Sequence, residues 1–325
     1  MTSLSPLSSS FVELAVTTRN GRDESLHYGA VVMLGSDGTI EQALGDPSVV
    51  VYPRSSNKPI QATAMVSLGL NIPARLLALA CGSHDGRPEH LAAARELLST
   101  VGLAESCLGN TPDLPLNSEA AEAVLRNGGA RSAVQMNCSG KHAAMLATCV
   151  LNDWPHDESY LRDDHPLQKH ITQTITDLSG EQVTHIGIDG CGAPAHAFSL
   201  VGLARAFRAI AMSPDDSPAG IVSFAMRAHP EMVGGPTRDV TLLMQGIPDL
   251  LAKDGAEGVY AAALSDGRAV ALKISDGANR ARPPVMRAAL QALGVDLGTV
   301  DPRAIASPIF GHGKQVGEVR VIARF

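Results

Sequence analysis

The sequence predicts an α+β fold with one mostly antiparallel sheet, formed by strands from both ends of the chain, and a helical lobe inserted between them. Three observations support this prediction. Strand-like runs of alternating or β-branched residues occur near both ends of the sequence. Helical periodicity fills the middle, roughly residues 59–230. The regular strand–helix alternation of a doubly wound fold does not occur, so packing both terminal strand groups into one sheet is the economical arrangement.

The N-terminal part contains the first group of strands. Residues 1–10 are rich in serine and are predicted to be flexible, which leaves 11–325 as a single catalytic domain. The segment Gly35-Ser36-Asp37-Gly38 lies between two strand-like runs and predicts a hairpin. The strands predicted here are Phe11–Arg19, Tyr28–Leu34, Thr39–Leu44 and Ser48–Val51.

The middle of the chain is predicted to be mainly helical. Pro59 suits the first turn of a helix, because a backbone N–H has no partner there in any case. Val183–Ile188 is an apolar run that predicts a strand within this region. The helices predicted are Pro59–Leu68, Ala74–Ala80, Pro88–Val101, Ser118–Arg126, Lys141–Leu151, Pro166–Leu178, Leu200–Met212 and Pro218–Ala228.

Strands return near the C-terminus. The segment Ser265-Asp266-Gly267 separates two apolar runs and predicts a second hairpin. The elements predicted here are the strands Gly258–Leu264 and Arg268–Ile274, a helix near Pro284–Leu293 and a last strand at Val316–Phe325.

Composition and charge argue against several classes of function. The 325-residue chain has a formal net charge of −7 and only 3% aromatic residues, so it lacks the basic groove and stacking rings of a nucleic-acid-binding protein. No glycine-rich phosphate loop follows a predicted strand, which argues against a nucleotide cofactor. No apolar run reaches about 18 residues and no signal peptide is recognisable, so we expect no membrane contact. The five cysteines are expected to be free thiols or metal ligands, which predicts a reducing, cytoplasmic location.

The first candidate site lies between a predicted strand and a predicted helix. The chain has only six lysines against 20 arginines, so the surroundings of each lysine are informative. Ser55 and Lys58 are three residues apart and would share one helix face, where Lys58 could accept the proton of a nucleophilic Ser55. The helix start would also direct backbone amides toward Ser55, as an oxyanion hole requires. The alternative is an N-cap serine with a solvated lysine.

Three further segments contain residues that could carry chemistry. The glycine-bounded loop Cys81–Gly86 holds His84, which is either a site residue or a capped surface group. Cys138, Lys141 and His142 would lie together on the first turn of a helix, and Cys191 lies in a glycine-wrapped loop. Two cysteines so placed suit a borderline-soft metal, although their spacing matches no zinc-finger pattern. The alternative is two buried core thiols.

The remaining lysines divide into two groups. Lys273 lies in an otherwise apolar predicted strand, so it faces either solvent or a site. Lys169, Lys253 and Lys314 have polar neighbours and are predicted to be solvated.

Together, the four segments resemble motifs of the asparaginase II family, the rhizobial-type or class 3 L-asparaginases. The resemblance covers the chain from about Val12 to Phe325, and the four motifs occur in the same order as in the family. Four motifs in the same order are far more specific than any one alone. It implies a fold similar to serine β-lactamases, penicillin-binding proteins and serine glutaminases, in agreement with the sheet and inserted helical lobe. The motifs are Arg-Ser-Ser-x-Lys-Pro-x-Gln (Arg54–Gln61), Cys-x-Ser-His-x-Gly (Cys81–Gly86), Asn-Cys-Ser-Gly-Lys-His (Asn137–His142) and Asp-Gly-Cys-Gly-x-Pro (Asp189–Pro194).

The resemblance also implies an activity and a set of residue roles. The expected reaction is hydrolysis of L-asparagine to L-aspartate and ammonia by a homodimer that binds Zn²⁺. Alternatives are a glutaminase, a β-lactam or peptide hydrolase, or a catalytically silent protein that binds zinc or a small ligand. By similarity, Ser55 with Lys58 and Ser83 with Lys273 form two catalytic pairs, and Cys138, Lys141 and Cys191 hold the zinc. The candidate substrate-binding residues are Arg54, His84, His142 and Asp189.

Overall fold

The computed structural model describes residues 7–325, which form two antiparallel sheets and a set of surrounding helices. The strands are β1 (Val12–Arg19), β2 (Arg22–Leu34), β3 (Ile40–Leu44), β4 (Val50–Val51), β5 (His185–Ile188), β6 (Pro194–Ser199), β7 (Leu251–Asp254), β8 (Val259–Ala263), β9 (Ala269–Ile274), β10 (Pro308–Gly311) and β11 (Lys314–Val321).

The α-helices lie for the most part, though not all, between β4 and β7 along the chain. They are α1 (Leu7–Ser10), α2 (Lys58–Ser67), α3 (Ala74–Ala80), α4 (Pro88–Ser99), α5 (Ser118–Arg126), α6 (Ser139–Leu151), α7 (Pro166–Ser179), α8 (Leu200–Met212), α9 (Pro218–Ala228), α10 (Pro230–Gly234), α11 (Asp239–Gly246), α12 (Arg282–Ala292) and α13 (Pro302–Ile305).

The larger sheet joins the two ends of the chain, as predicted. Its strand order is β10-β11-β1-β2-β9-β8-β7, with β3 paired to β2. Ala15 of β1 pairs with Val321 of β11, and Ala30 of β2 pairs with Lys273 of β9. Strands β8 and β9 are almost completely buried because α8 packs on both and α12 packs on β9, which explains their continuous apolar runs. The predicted α+β class and the sheet built from both chain ends are therefore confirmed.

A second, three-stranded sheet lies beside the helical lobe, and the sequence predicts two of its three strands, Ser48–Val51 and Val183–Ile188. Its order is β4-β6-β5, and Val50 pairs with Ser199. The expectation of one sheet was wrong here because β6, with which both β4 and β5 pair, was not predicted: it begins at a proline after a glycine-containing loop. This sheet positions two chemistry-bearing loops, since β4 leads to α2 and the β5–β6 connection contains Cys191.

The helical lobe packs around α2. Helices α7 and α9 both contact α2, and α3 packs between α9 and α6. Helices α3, α5, α8 and α9 begin and end at the predicted residues. The structure adds α10, α11 and β7, which the sequence analysis did not predict.

The N-terminal segment and the lengths of the helices bear on two further predictions from the sequence. The segment 1–10 was predicted to be flexible, and its first six residues lie outside the described part of the chain. Its last four, Leu7–Ser10, form one helical turn, and Ser10 is buried. Among residues 7–325, every helix is too short or too polar to cross a bilayer.

Candidate active site

The turn between β4 and α2 carries two adjacent serines with different surroundings. Ser56 is completely buried, and its hydroxyl donates to the carbonyl oxygen of Lys253 at 2.9 Å. Ser55 is half-buried. Arg54, which precedes it, has a φ of 54°, a left-handed conformation that costs a non-glycine residue free energy. The strained turn thus leaves Ser55 partly accessible at a strand-to-helix junction, as an attacking group requires.

Lys58 connects three of the four motifs. It is the first residue of α2, and only 1% of it is exposed. Its Nζ donates to Ser83 Oγ at 3.2 Å, to the carbonyl oxygen of Asn137 at 3.4 Å and to the carbonyl oxygen of Gly82. The buried amine therefore holds the Cys81–Gly86 loop and the segment before α6 against the start of α2.

The structure pairs Ser83 with Lys58 rather than with Lys273. Lys273 is half-buried on β9, and its Nζ donates to the carbonyl oxygens of Glu257 and Ile274. Burial lowers the pKa of Lys273. The negative charges of Glu257 and Asp276 oppose this shift, and the positive charge of Arg54 adds to it. The predicted contact between Ser83 and Lys273 is therefore absent from the structure, because two carbonyl groups at the strand end satisfy the amine.

Lys253 is the lysine that the sequence analysis misplaced. It was predicted to be solvated, but it lies on β7 with 0% exposure. Its Nζ donates to the carbonyl oxygen and to Oδ1 of Asp254, both at 2.6 Å. Burial lowers the pKa of Lys253 to about 8, Asp254 opposes that shift and the charge of Lys58 reinforces it. A buried lysine of this kind, next to a second lysine, can exist as the free amine near neutral pH.

Cys138, Lys141 and Cys191 meet in a small buried cluster. Lys141 Nζ lies 3.1 Å from Cys191 Sγ, and both cysteines pack with Ala193 beneath Met136 and Leu161. The hydrogen bond from the Cys138 thiol lowers the pKa of Cys191 well below its usual range; burial opposes this and the charge of Lys141 supports it. The arrangement favours one thiolate beside one ammonium group.

The chemistry of these three donors fits a zinc ion. Thiolate sulfur and amine nitrogen are borderline-soft ligands of the kind zinc prefers, and each must lose its proton to bind. Within residues 7–325, no group of three histidine, cysteine, aspartate or glutamate side chains is arranged to hold a metal. Any zinc site built on Cys138 and Cys191 would thus need Lys141 or a group from outside the protein.

Two of the predicted substrate-binding residues form an ion pair with each other. Arg54 Nε and Nη2 donate to Asp189 Oδ1 at 2.9 and 2.7 Å. The backbone N–H of Gly190 donates to the same oxygen at 2.7 Å. Burial would raise the pKa of Asp189, but the charges of Lys141 and Arg54 outweigh burial and lower this pKa. Both side chains remain partly exposed, at 25% and 16%, so a charged ligand can reach either partner.

The two predicted histidines are both completely buried. His84 stacks on His90 with ring centroids 5.2 Å apart, and its Nε2 lies 2.9 Å from Ser139 Oγ at the start of α6. His142 Nδ1 lies 2.7 Å from the hydroxyl of Tyr160. Burial lowers the pKa of both histidines well below its usual range, so both are neutral near pH 7.

Comparison with known proteins identifies the family. The family model described as L-asparaginase II matches residues 15–321, which is nearly the whole chain. The chain belongs to the L-asparaginase II family. No curated protein gives a significant match.

Solved structures similar to this member of the L-asparaginase II family include two β-lactamases and a glutaminase. A putative β-lactamase from Bacteroides dorei has a TM-score of 0.47 and 12% identity, over 81% of this chain and 92% of that one. A β-lactamase from Mycobacterium bovis has a TM-score of 0.45 and 14% identity, over 82% and 94%. A glutaminase from Bacillus subtilis has a TM-score of 0.35 and 13% identity, over 83% and 87%.

Membership of the L-asparaginase II family makes the chain a hydrolase that acts on amides. It confirms the resemblance drawn from the four motifs. In the structure these motifs converge: Lys58 joins the first three, and the Arg54–Asp189 ion pair joins the fourth to the first.

Proposed function

We propose that this member of the L-asparaginase II family hydrolyses L-asparagine to L-aspartate and ammonia, with Ser55 as the nucleophile. One observation carries the proposal. Partly exposed Ser55 lies on a strained turn, three residues before Lys58, whose buried amine is 3.2 Å from a second serine hydroxyl, that of Ser83. A lysine amine in its neutral form can accept the proton of a serine hydroxyl during attack.

The proposed reaction has two stages. Ser55 Oγ forms a bond to the side-chain carbonyl carbon of asparagine, and its proton passes to the Lys58 amine. The carbon–nitrogen bond then breaks, and the nitrogen takes up that proton and leaves as ammonia. Water next attacks the ester on Ser55 and releases aspartate. Ser83, hydrogen-bonded to Lys58, is positioned to relay protons between the lysine and the leaving group.

The second lysine of the proposed mechanism is Lys253 instead of Lys273. Lys253 lies close enough to Lys58 for the charges to interact, and its carbonyl group accepts from the Ser56 hydroxyl. Cys81, two residues before Ser83, is also influenced by the charges of Lys58 and Lys253. Lys253 therefore lies next to both serine-bearing segments, where its free amine can take up a proton from the site.

The Arg54–Asp189 ion pair suits an α-amino acid substrate. A zwitterion carries one carboxylate and one ammonium group, which match the arginine and the aspartate respectively. Both partners are partly exposed, so we propose that the substrate separates them and pairs with each. His84 and His142 are completely buried and neutral, and we propose that they support the site as hydrogen-bonding groups rather than as charges.

The nucleophile is tested by a matched pair of variants. Ser55→Ala is expected to lower kcat for ammonia release by at least about 1,000-fold, because loss of a nucleophile removes the covalent route. Ser56→Ala, which loses only a buried structural hydrogen bond, is expected to remain active and to lose about 1 kcal/mol of stability. If Ser55→Ala keeps a tenth of the activity with normal circular dichroism, Ser55 is not the nucleophile.

The same assay separates the alternative substrates. Glutamine differs from asparagine by one methylene group, which a pocket distinguishes by about 1–3 kcal/mol. We expect kcat/KM to be higher for asparagine than for glutamine and for a β-lactam. Highest activity on glutamine would identify a glutaminase, and no turnover of any of the three would identify a silent binding protein.

We also propose that Cys138, Lys141 and Cys191 bind one zinc ion per chain. Bound zinc would supply a Lewis acid able to orient a substrate group. Cys191→Ala is expected to lose the metal by elemental analysis and to raise KM more than it lowers kcat, whereas the buried control Cys149→Ala is expected to keep the metal. Absence of zinc from wild-type protein purified at pH 8 would overturn this assignment.

The homodimer that the family resemblance implies and the reducing, cytoplasmic location inferred from the cysteines are part of the proposal. All five cysteines are free in the structure, which supports a reducing compartment. Light scattering coupled to size-exclusion chromatography is expected to give twice the 33.8 kDa chain mass. A monomer at micromolar concentration would contradict the dimer.

A further inference from the structure

A buried network of charges lies directly behind Lys253. Asp254 Oδ1 accepts from Lys253 Nζ, and Asp254 Oδ2 contacts two guanidinium groups: Arg238 Nη2 donates to it and Arg282 Nη1 lies 3.6 Å away. Both guanidinium groups also approach Asp239, at 3.8 Å from Arg238 and 3.9 Å from Arg282. The side chains of Asp254 and Arg282 are each 6% exposed, so water screens these charges weakly.

The charges of this network balance only if Lys253 is neutral. Arg238 and Arg282 stay protonated in proteins, and they match the two carboxylates of Asp239 and Asp254 one to one. A protonated Lys253 would therefore add an unmatched positive charge to a buried site. Burying an unmatched charge is costly, so the network favours the free amine of Lys253.

We propose that Arg238 and Arg282 are positioning residues for the reaction: by neutralising Asp254 and Asp239, they leave Lys253 as a proton acceptor and set the pH at which it becomes one. This inference rests on the proposed function, in which the second lysine of the site is Lys253. Neither arginine is required to touch the substrate. Each acts through Asp254, which is the only carboxylate within the described residues that hydrogen-bonds to Lys253.

Groups on the neighbouring elements act in the same direction. From α2, a proton on Lys58 would disfavour a second positive charge on Lys253. From the α11 side, Arg238 does the same. The neutral phenol of Tyr260 on β8 lies next to the network, with its ring 5.7 Å from the Arg282 guanidinium carbon. Asp254 is thus the one group facing Lys253 that favours its protonation, and the arginines limit that effect.

Arg282 also ties the network to the turn that carries Ser55. Its Nη1 donates at 2.6 Å to the carbonyl oxygen of Gly255, the residue after Asp254. Gly255 packs against the carbonyl group of Pro53 and the hydroxyl of Ser56. The same guanidinium group therefore balances charge at Asp254 and fixes the backbone beside the proposed nucleophile.

Two substitutions with opposite expected effects test the proposal. Arg238→Gln leaves Asp254 less neutralised, so Lys253 should hold its proton more tightly and the acidic limb of kcat/KM should move up by about 1 pH unit. Asp254→Asn removes the carboxylate, so the limb should move down by about as much. Arg238→Lys, which restores the charge, should return the limb toward its wild-type position. The control Arg227→Gln, at an ion pair with Asp249 outside the network, should leave it unchanged.

A direct titration separates the network from the proposed function. The chain has only six lysines, so the ¹³Cε resonance of Lys253 can be assigned with a Lys253→Arg variant and followed against pH by NMR. The Lys253 titration should move up in Arg238→Gln and down in Asp254→Asn, whether or not asparagine is the substrate. Unmoved titrations in correctly folded variants would overturn the proposal. The proposal would equally be overturned if the Lys253 titration midpoint moves but the acidic limb of the kcat/KM pH profile does not, because Lys253 would then not govern the reaction. A wild-type protein inactive on every amide would instead overturn the proposed function.

Discussion

A single tyrosine determines which nitrogen of His142 carries the proton. The Tyr160 hydroxyl accepts from the backbone N–H of Gly109 at 3.1 Å and lies 2.7 Å from His142 Nδ1. With its acceptor position used by Gly109, the hydroxyl is best placed to donate to Nδ1, which puts the imidazole proton on Nε2. Among residues 7–325, His142 Nε2 is buried without a partner, so this N–H is an unsatisfied donor that a bound substrate is expected to satisfy.

Tyr160→Phe is therefore expected to weaken substrate binding. Without the hydroxyl, neither the tautomer nor the orientation of His142 is fixed, and loss of one such hydrogen bond corresponds to about a tenfold rise in KM for asparagine. We expect kcat to change less, because the interaction is proposed to serve ground state and transition state alike. Steady-state kinetics on the variant measures both constants.

Tyr260→Phe provides the matched control for stability. Tyr260 is also completely buried, but within the described part of the chain its hydroxyl has no hydrogen-bond partner. Tyr160→Phe should lower the free energy of unfolding by about 1–3 kcal/mol, whereas Tyr260→Phe should be nearly neutral. A Tyr160→Phe enzyme with wild-type KM and much reduced kcat would place His142 in the chemical step instead.

The lysines show how far residue types alone can identify a site. Lys58 and Lys141 were proposed as site residues because each lies at a fixed spacing from a serine or a cysteine, and both are buried in the structure. Lys253 was missed, since Asp254 and Gly255 after it suggest a turn and the short strand β7 gives little periodic signal. The apolar run Leu250-Leu251-Ala252 before it was the available indication of burial. Its partners Arg238 and Arg282 lie far apart in sequence, so only the fold shows the network.

At the scale of elements, the site depends on close contact between the β7–β8 turn and the turn before α2. A Cβ atom added to Gly255 would clash with the carbonyl oxygen of Pro53 and would lie 2.9 Å from Ser56 Oγ. Neither neighbour can move without shifting the strained backbone around Arg54. Glycine is required here by the approach of the two segments.

Gly255→Ala is expected to displace the serine-bearing turn. Overpacking of this kind costs about 1–3 kcal/mol of stability, and a displacement of about 1 Å at a nucleophile lowers kcat/KM by up to about 100-fold. Thermal unfolding and steady-state kinetics measure the two effects. Gly35→Ala is the control, because its added Cβ would meet only the side-chain ends of Glu41 and Asp37, at 3.3 and 3.4 Å. Equal behaviour of the two variants would show that the turns are not in tight contact.

The predicted elements were most accurate where helices are amphipathic and bounded by proline or serine. Helix α9 begins at Pro218 after the cap Ser217, and both ends agree with the prediction. The short elements were missed because their residues respond to tertiary contacts more than to local periodicity. β6 is completely buried from Pro194 to Ser199, yet it follows a loop signal, Gly190-Cys191-Gly192, that hides the strand start.

At the scale of the whole molecule, the fold buries most of the groups that its proposed chemistry uses. The sheet from both chain ends places β7 and β8 beside the turn that leads into α2, and the small sheet brings the Cys191 loop to α6. The sequence predicted the first arrangement from the position of strands at both ends of the chain. It did not predict the second, because the strand that joins β4 to β5 in that sheet, β6, was not recognised in the sequence.

Burial of neutral histidines gives the whole molecule a predictable response to acid. His27 and His196 are 1% and 2% exposed, and each makes one hydrogen bond to a threonine hydroxyl. Burial lowers the pKa of His196 to about 4, with the charge of Lys141 acting in the same direction. Burial also lowers the pKa of His27. An unfolded chain titrates its histidines near pH 6.5, so between pH 6.5 and 4 the unfolded state binds more protons than the folded state.

The free energy of unfolding should therefore fall as the pH is lowered through this window. For His196 alone the loss approaches about 3 kcal/mol at pH 4, since one pKa unit corresponds to about 1.4 kcal/mol. Urea unfolding at pH 6.5, 5.5 and 4.5 measures the slope, and His196→Gln should flatten it because glutamine takes up no proton. The exposed position His156 supplies the control, and His156→Gln should keep the wild-type slope. Parallel slopes for wild type and His196→Gln would mean that His196 is protonated in the folded protein, and that burial does not exclude its charge.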